Sequence, residues 1–176
     1  KMALNQAESY PKPFQLLKTQ LESTAQSNRS AKPRSTWWQF RRPTVEMYSK
    51  IRQLNRCFVI ARTTKYFSLS SSSTQIILSE ATKVFTTDRW DLYAVVQSTV
   101  HEVWARKYSG ALKQDLRYSP SKCFDTYPFP QGQWETPNPT LAATGELYHE
   151  HRRALMKSLW LGLTDIYNLF HAPDLT

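Results

Sequence analysis

Apolar residues recur at every third or fourth position in two long segments, and this spacing predicts two amphipathic helices. The first segment covers about residues 88–107, where Asp88 is a suitable N-cap and Gly110 follows shortly after the end. Its predicted apolar stripe consists of Tyr93, Val96, Val100, Val103 and Trp104. The second segment covers about residues 141–160. Shorter repeats predict three further helices, near residues 14–21, after Pro43 and over residues 164–170.

Residues 56–87 follow a different pattern, in which short β-prone runs alternate with polar turns. The runs are residues 57–60, 66–69, 75–78 and 83–85. The serine-rich residues 70–73 are predicted as a turn between two of these runs. The whole pattern predicts an α+β fold. It consists of a small antiparallel sheet (about residues 56–87 plus 111–118) flanked by amphipathic helices (about 88–107 and 141–160).

Shifts in composition divide the chain into three predicted parts. They are an N-terminal helical arm and linker (residues 1–34), an α+β domain (35–130) and a C-terminal helical extension (131–176). Hydrophobic residues make up 40% of the chain, which is too many for a disordered tail. No apolar run approaches the roughly 20 residues of a membrane span. Two distant cysteines do not indicate a disulfide framework, so we expect a cytoplasmic protein with no membrane partner.

The net charge of +9 is concentrated in one part of the chain. Residues 29–65 hold ten Lys and Arg against the single acid Glu46, whereas residues 68–176 hold ten against eleven acids. Lys and Arg neutralise phosphates and release their counterions, so a basic segment favours nucleic acid as a partner. Composition alone leaves other acidic partners open, as well as a solvated basic face with no ligand.

The residues that could support catalysis or bind a metal do not form a set. His149 and His151 are two positions apart on a predicted helix and therefore face different directions. His101 and His171 have no neighbours at metal-ligand spacing, so all four histidines are expected at the surface or at helix ends. Cys123 is typical of a small core residue. The four glycines are too sparse to form a phosphate-binding loop.

Five stretches of the chain carry motifs that are more specific than these patterns. They are WWQFRR (37–42), RCFVIARTTK (56–65), STVHEVWA (98–105), LRYSPSKCFDTYPFP (116–130) and GLTDIYNLFHAP (162–173). In order and spacing they resemble the motifs WWxFxRxR, RxxVIARxSK, SxxHExWA, RYSPSxCFxTFPFP and GLTxxYNxFHxP. Those motifs belong to large adenine-specific DNA methyltransferases of the type IIG-like restriction–modification and phage-defence family. Cys57 departs from the family, which often has a larger residue there.

The resemblance implies that this chain is the C-terminal target-recognition region, which selects the DNA sequence. In the family, the upstream domain binds S-adenosylmethionine and methylates a flipped adenine at N6. The catalytic NPPY tetrad is absent from this sequence, since Asn138-Pro139-Thr140 does not match it. We therefore expect no catalytic residue and no cofactor in this chain, with S-adenosylmethionine bound elsewhere in the parent protein. Whether the parent also cleaves DNA is open. The expected partners are double-stranded DNA and the upstream methyltransferase domain of the same chain.

The resemblance also separates scaffold from contact residues, and DNA contacts are assigned mainly to cations. These cations are Arg41, Arg42, Arg52, Arg62, Lys65, Lys107, Lys113 and Arg117. Ser71 and Ser72 are added as candidate base contacts because residues 70–74 are expected to form a loop. Two alternatives remain open. One is a protein-interaction module that docks onto a methyltransferase core or a partner subunit. The other is a single-strand binder that stacks bases on Trp37 and Trp38.

Overall fold

The structure of the protein, a computed structural model, describes residues 3–27, 37–39 and 44–174. The chain divides into two compact units, residues 1–45 and residues 46–176. The predicted boundaries at residues 34 and 130 stay a prediction. The predicted contacts Arg41 and Arg42 lie outside the described residues.

The described residues of the first unit include helices α1 (Leu4–Glu8) and α2 (Pro11–Ser27). Helix α2 confirms the helix predicted around residues 14–21. Residues 37–39 form a turn, and the ring of Trp37 packs against Phe14 with 5.5 Å between the ring centroids. This contact favours an anchoring role for Trp37 over base stacking.

The second unit begins with α3 (Val45–Ile51), the helix predicted after Pro43, and continues into sheet A. Sheet A has the strand order β3–β1–β4. Its strands are β1 (Cys57–Ala61), β3 (Ser70–Ser72) and β4 (Thr82–Phe85). Strands β3 and β4 both run antiparallel to the central strand β1. From β1, Phe58 and Ile60 are buried in the core.

Sheet B has the strand order β2–β6–β5 and is also antiparallel. Its strands are β2 (Thr63–Thr64), β5 (Gly110–Leu112) and β6 (Asp115–Arg117). The α+β fold class is therefore confirmed, but the predicted single sheet is divided into two. The segment 111–118, expected to be one strand, contains most of a hairpin.

Arg62 is the point at which residues 57–64 pass from sheet A to sheet B. It stands alone between β1 and β2, and its backbone N–H donates to the carbonyl of Ala81 at 2.6 Å, at the end of sheet A. Its own carbonyl accepts from the N–H of Tyr118 at 2.9 Å, at the end of sheet B. The sequence pattern could not show this division, because a single residue between two strands leaves no mark in the hydrophobic periodicity.

The sequence prediction placed strand and turn wrongly around the serine run. Residues 70–72, predicted as a turn, form strand β3, whereas residues 66–69 form no ladder. The side chain of Gln97 replaces the missing strand partner: its Oε1 accepts from the N–H of Leu69 at 2.7 Å, and its Nε2 donates to the carbonyl of Phe67 at 3.3 Å. Buried backbone groups need a partner, and here a helix side chain supplies it.

Residues 75–78, also predicted as a strand, lie in the connection between β3 and β4. Both Ile76 and Ile77 are exposed, by 49% and 72%. The run of apolar residues indicated burial, but this connection gives them no core to face.

The helix predicted over residues 88–107 is broken at Ser98 into α4 (Trp90–Gln97) and α5 (Thr99–Tyr108). Ser98 is extended, and its hydroxyl accepts from the N–H of His101, so it is the N-cap of α5. The predicted N-cap Asp88 instead accepts a hydrogen bond from the backbone N–H of Asn55.

The break also redirects the apolar stripe. Tyr93 and Val96 of α4 are buried, but Val100 and Val103 of α5 are 69% and 62% exposed. His101 and Ala105 take the buried positions of α5 instead.

The C-terminal part consists of α6 (Pro120–Cys123), α7 (Pro139–Leu159) and α8 (Leu163–Phe170). Helix α7 confirms the prediction for residues 141–160 and packs along α4. Gly145 permits this contact, because a Cβ at that position would lie 2.5 Å from the carbonyl oxygen of Trp90. Across the described residues, no helix combines the length and apolarity needed to cross a bilayer.

Candidate nucleic-acid interface

Arg117 lies on the central strand of sheet B, opposite Thr63 of β2 and Gly110 of β5. Side chains alternate between the faces of a strand, so Arg117 points away from Leu116, which is buried in the core. Gly110 has no side chain to cover its neighbour. The hydroxyl of Ser109 donates to the carbonyl of Arg117 at 2.6 Å. The backbone of Arg117 is therefore fixed while its guanidinium side chain is exposed.

Lys113 and Gln114 form the turn of the β5–β6 hairpin. Lys113 has a left-handed backbone, with φ of 57°. Glycine normally takes this conformation, and another residue costs about 1 kcal/mol. Asp115 follows the turn and shares a face of β6 with Arg117. An exposed lysine in a strained turn favours a function for its ammonium group.

Lys65 and Tyr66 follow β2 directly and are held by helix α8. The ammonium group of Lys65 donates to Oδ1 of Asn168 at 2.7 Å, and the hydroxyl of Tyr66 donates to the same oxygen at 2.9 Å. The ring of Tyr66 stacks on Tyr167 and His171, with centroid distances of 5.4 and 5.1 Å. Helix α8 thus orients Lys65, although about 100 residues separate the two in sequence.

An open polar cleft of about 380 Å³ lies at the margin of sheet B. It is lined by Lys65, Tyr66, Glu102, Arg106, Gln114, Asp115 and His171. Arg106 pairs with Glu102 at 2.8 Å and donates to the carbonyl of Lys65 at 2.9 Å. Because cations and carboxylates both line the cleft, it suits a neutral group with donors and acceptors, such as a base edge, better than a lone anion.

The structure brings four of the predicted DNA contacts to sheet B and its ends. They are Arg62, Lys65, Lys113 and Arg117. Lys107 lies on the last turn of α5, just before β5, with its ammonium group 5.2 Å from the ring centroid of Tyr108. Arg52 follows α3 and lies at the other end of β1 from Arg62.

Ion pairs do not neutralise these contact cations. Within residues 44–174, no carboxylate forms an ion pair with any of the six described contact cations. Their charges are therefore available to a ligand.

Ser71 and Ser72 do not lie in the expected loop. Both are half-buried in strand β3, paired with β1. The backbone N–H of Ser71 donates to Nε2 of His149 at 3.1 Å, so α7 caps this edge of sheet A. The prediction of a loop at these residues, which motivated a base-reading role, is wrong. A DNA contact by the two hydroxyls stays a prediction.

Two histidines are buried, contrary to their expected positions at the surface or at helix ends. His101 is fully buried among aromatic rings, and its Nε2 lies 3.1 Å from the hydroxyl of Tyr118. Burial lowers the pKa of His101 from 6.5 to about 4. His149 is 7% exposed. Among the residues that the structure describes, no three His, Cys, Asp or Glu side chains are grouped as a metal site.

Comparisons with known proteins extend the motif resemblance. Residues 7–131, about seven tenths of the chain, match the family described as "MmeI, target recognition domain". DNA methyltransferase A of Bacillus subtilis (strain 168) is 30% identical over 66 residues, which are 38% of this chain and 8% of that protein.

A solved structure gives a further comparison, that of the type IIL restriction–modification enzyme MmeI in complex with DNA. It matches with a TM-score of 0.52 and 18% identity, over 81% of this chain and 22% of that chain. At this identity the likeness shows the fold alone. The chain therefore spans less than a quarter of each of these relatives.

The α+β fold and the family match together define a target recognition domain. The chain belongs to the MmeI target recognition domain family. The family resemblance drawn from the five motifs is thereby confirmed.

Proposed function

We propose that this chain binds double-stranded DNA and selects the sequence at which a methyltransferase domain of the same polypeptide methylates adenine at N6. The observation that carries the proposal is the exposed β5–β6 hairpin of sheet B, with Lys113 in its turn and Arg117 on its inner strand. The solved structure of MmeI is a complex with DNA, which supports the same ligand class for this family.

The hairpin suits recognition of base edges. Beyond the residues paired with β2, residues 112–115 form a two-stranded ribbon. Such a ribbon fits the major groove of B-DNA, where each base pair shows a distinct pattern of donors and acceptors. Arg117 can donate two hydrogen bonds to O6 and N7 of one guanine. Lys113 can donate to O6 or N7 of a guanine in a neighbouring base pair. The carboxylate of Asp115 can accept from the amino group of cytosine. These residues share one hairpin, so they would read neighbouring base pairs.

The remaining described cations surround the hairpin and suit phosphate contacts. Lys65 is oriented by Asn168, Lys107 precedes β5, and Arg62 joins the two sheets. Phosphate contacts set the register of a protein on the duplex, while base contacts select the sequence. We place Arg41 and Arg42 in the phosphate-contacting group on the sequence alone.

We further propose that S-adenosylmethionine binds the methyltransferase domain of the parent protein and not this chain. The cavity lined by Phe58, Phe85, Tyr93 and Trp134 has a volume of about 250 Å³ and mainly apolar walls. Binding sites for small molecules and cofactors have volumes from about 300 Å³ and place several polar groups around the ligand. The residues of this cavity do not fit the cofactor. A DNA-modifying parent protein would act in the cytoplasm.

The proposal is tested by equilibrium binding of the 176-residue chain to a pool of random duplexes, followed by selection of the bound sequences. We expect enrichment of a defined motif, and a logarithmic affinity that falls with log salt by roughly 0.9 per phosphate contact. Arg117→Gln should relax one position of the motif. Arg153→Gln on the exposed face of α7 is the control and should leave the motif unchanged. An absence of duplex binding at low salt, or a preference for single strands, would contradict the proposal.

A second candidate function is docking onto a methyltransferase core or a partner subunit. The observation in its favour is the exposure of large apolar side chains near the C-terminus, with Trp160 at 94% and Phe170 at 73%. Trp160→Ser with Phe170→Ser should then abolish capture of the methyltransferase domain. Charge reversal of Arg41 and Arg42 should leave that capture intact. Capture that depends on the arginines and not on the aromatic residues would contradict docking.

A further inference from the structure

Ile76 and Ile77 form an exposed apolar pair on the segment that joins β3 to β4. Their side chains are 49% and 72% exposed. Residues 74–79 contain no charged residue. Two adjacent β-branched apolar residues that face solvent form a small apolar patch, and such a patch suits contact with a partner.

The segment follows a constrained path. Strands β3 and β4 are both antiparallel to β1, so the connection between them must run from the Cys57 end of β1 to the Ala61 end. It ends where Arg62 leaves β1 and enters sheet B. The isoleucine pair therefore lies on the segment that leads from the Cys57 end of β1 to Arg62.

The backbone on either side of the isoleucine pair is anchored. Thr74 is buried, and its hydroxyl donates to the carbonyl of Leu54 at 3.4 Å. The N–H of Leu78 donates to the hydroxyl of Tyr48 at 2.9 Å. Side chains of this type also have few rotamers, so binding them costs little conformational entropy. The isoleucine pair is thus preorganised for binding.

Its distance from the DNA-binding surface is limited by the chain. Ile77 is four residues before Ala81, whose carbonyl accepts from the N–H of Arg62 at 2.6 Å. Four extended residues span at most about 14 Å, which is close to the width of one major groove. Ile77 therefore lies no further from the Arg62 end of β1 than about one groove width, and a duplex that contacts Arg62 can extend to it.

We infer that Ile76 and Ile77 make an apolar contact with the bases of the bound duplex. They would pack on thymine methyl groups or press into a base step. The inference rests on the proposed DNA-binding function. An uncharged, apolar pair suits base edges and not phosphates, so this segment would add to selectivity without adding to the salt dependence of binding.

The test compares Ile76→Ser with Ile77→Ser in one variant against Val100→Ser with Val103→Ser in a control. The control residues are also β-branched, and they are 69% and 62% exposed on α5. We expect the isoleucine variant to bind the selected duplex at least about tenfold more weakly, with the same salt slope as the wild type. The valine variant should bind as the wild type. All substituted side chains are exposed, so urea unfolding should confirm that both variants are folded.

Two further measurements define the mode of contact. Ile76→Leu with Ile77→Leu keeps the apolar surface and should retain most of the affinity. A duplex with 2-aminopurine at the contacted step should gain fluorescence on binding if the pair opens that step. If it packs on methyl groups, replacing thymine by uracil should weaken binding. A response in either experiment supports the inference.

Several outcomes would overturn it. They are a less than twofold change in affinity, an equal loss in the valine variant, or a loss confined to binding of the methyltransferase domain. Failure of the proposed function has a different signature. If Arg117→Gln weakens duplex binding while the serine pair has no effect, only the inference fails. If the wild-type chain binds no duplex at low salt, the proposed function fails and the inference fails with it.

Discussion

The contact between α4 and α7, here termed the α4–α7 seam, uses charged side chains in the opposite way to sheet B. At the seam, Asp91 is 1% exposed and accepts from Arg89 at 2.7 Å and from the N–H of Asn138 at 2.9 Å. Arg152 is 6% exposed. Its guanidinium donates to Ser68 Oγ, the carbonyl of Leu69 and the hydroxyls of Tyr93 and Tyr167.

In sheet B, the cations lie on the surface and are not paired with carboxylates. Arg117 and Lys113 are held through their backbones, by strand pairing and by the hairpin turn. Burial and the number of protein acceptors, and not charge itself, separate the structural cation Arg152 from the exposed cations proposed to contact DNA. A buried guanidinium that donates to four protein groups, as Arg152 does, stabilises the fold, whereas an exposed one can donate to a partner.

The largest expected effect is on the seam. Replacing Arg152 by Met should lower the free energy of unfolding by about 3 kcal/mol, because it removes the donor to the hydroxyl of Ser68 and leaves the carbonyl of Leu69 only the 3.3 Å bond from Tyr93. Urea denaturation measures this. Arg153→Met is the control, since Arg153 is exposed, and should cost less than about 0.5 kcal/mol. Equal effects of the two substitutions would remove the distinction.

The next effect is a pH dependence of stability caused by His101. The unfolded chain takes up this proton near the ordinary pKa of 6.5, whereas burial lowers the pKa in the folded state to about 4. The unfolded state therefore binds more protons between these values. The stability present above pH 6.5 is lost as the pH falls toward 4, by roughly 3 kcal/mol in total.

His101→Gln removes the titrating ring and can still reach the hydroxyl of Tyr118. In this variant, the fall in unfolding free energy between pH 6.5 and 4 should be much smaller. His151→Gln, at an exposed position of α7, is the matched control and should retain the wild-type fall. A variant curve parallel to the wild type would show that His101 does not cause it.

A smaller effect is expected at the glycine of the seam. In Gly145→Ala, the new Cβ would lie 2.5 Å from the carbonyl oxygen of Trp90 and 3.1 Å from Cβ of Ala94. Helix α7 must shift away from α4, which should cost about 2 kcal/mol despite the higher helix propensity of alanine. Gly110→Ala in sheet B is the control, because its nearest neighbours would be 3.8 Å away. Thermal unfolding of both variants should show a large loss for position 145 only.

The smallest effect on stability is expected for Arg117→Gln. Its side chain is exposed, so the free energy of unfolding should change by less than about 0.5 kcal/mol. Duplex affinity should nevertheless fall about tenfold, the value of a lost bidentate contact to guanine. The unfolding free energy and the duplex affinity should be measured on the same preparation of the variant. A loss of stability without a loss of affinity would place Arg117 in the structural class.

Part of the fold could be predicted from the sequence because it depends on local signals. Pro43 predicted the start of α3, and the helical spacing over residues 141–160 predicted α7. The prediction failed where a distant side chain decided the outcome. Gln97 satisfies the backbone of residues 67–69, so the apolar run there needs no strand partner, and the polar serines form β3 instead.

The candidate interface shows the same division. Lys65, Lys113 and Arg117 could be named from their charge and from the motifs around them. The roles of Asn168 and His171 could not, because they act on Lys65 and Tyr66 across about 100 residues. Asp91 and Arg152 gave no signal either, since burial of a charge depends on partners from other elements.

The sequence by itself determined the family, the α+β class and most helices, and it supplied the candidate cations for DNA contact. It could do so because motifs, periodicity and charge are properties of neighbouring residues. Only the tertiary structure decided that the sheet divides at Arg62, that Ser98 breaks a helix, and which cations are buried. The division at Arg62 and the burial of Arg152 depend on hydrogen bonds between distant residues, whereas the cap at Ser98 uses neighbours and was hidden by the continuous apolar spacing. A buried polar group must be paired wherever the fold places it, and the pairing partner cannot be read from the neighbouring sequence.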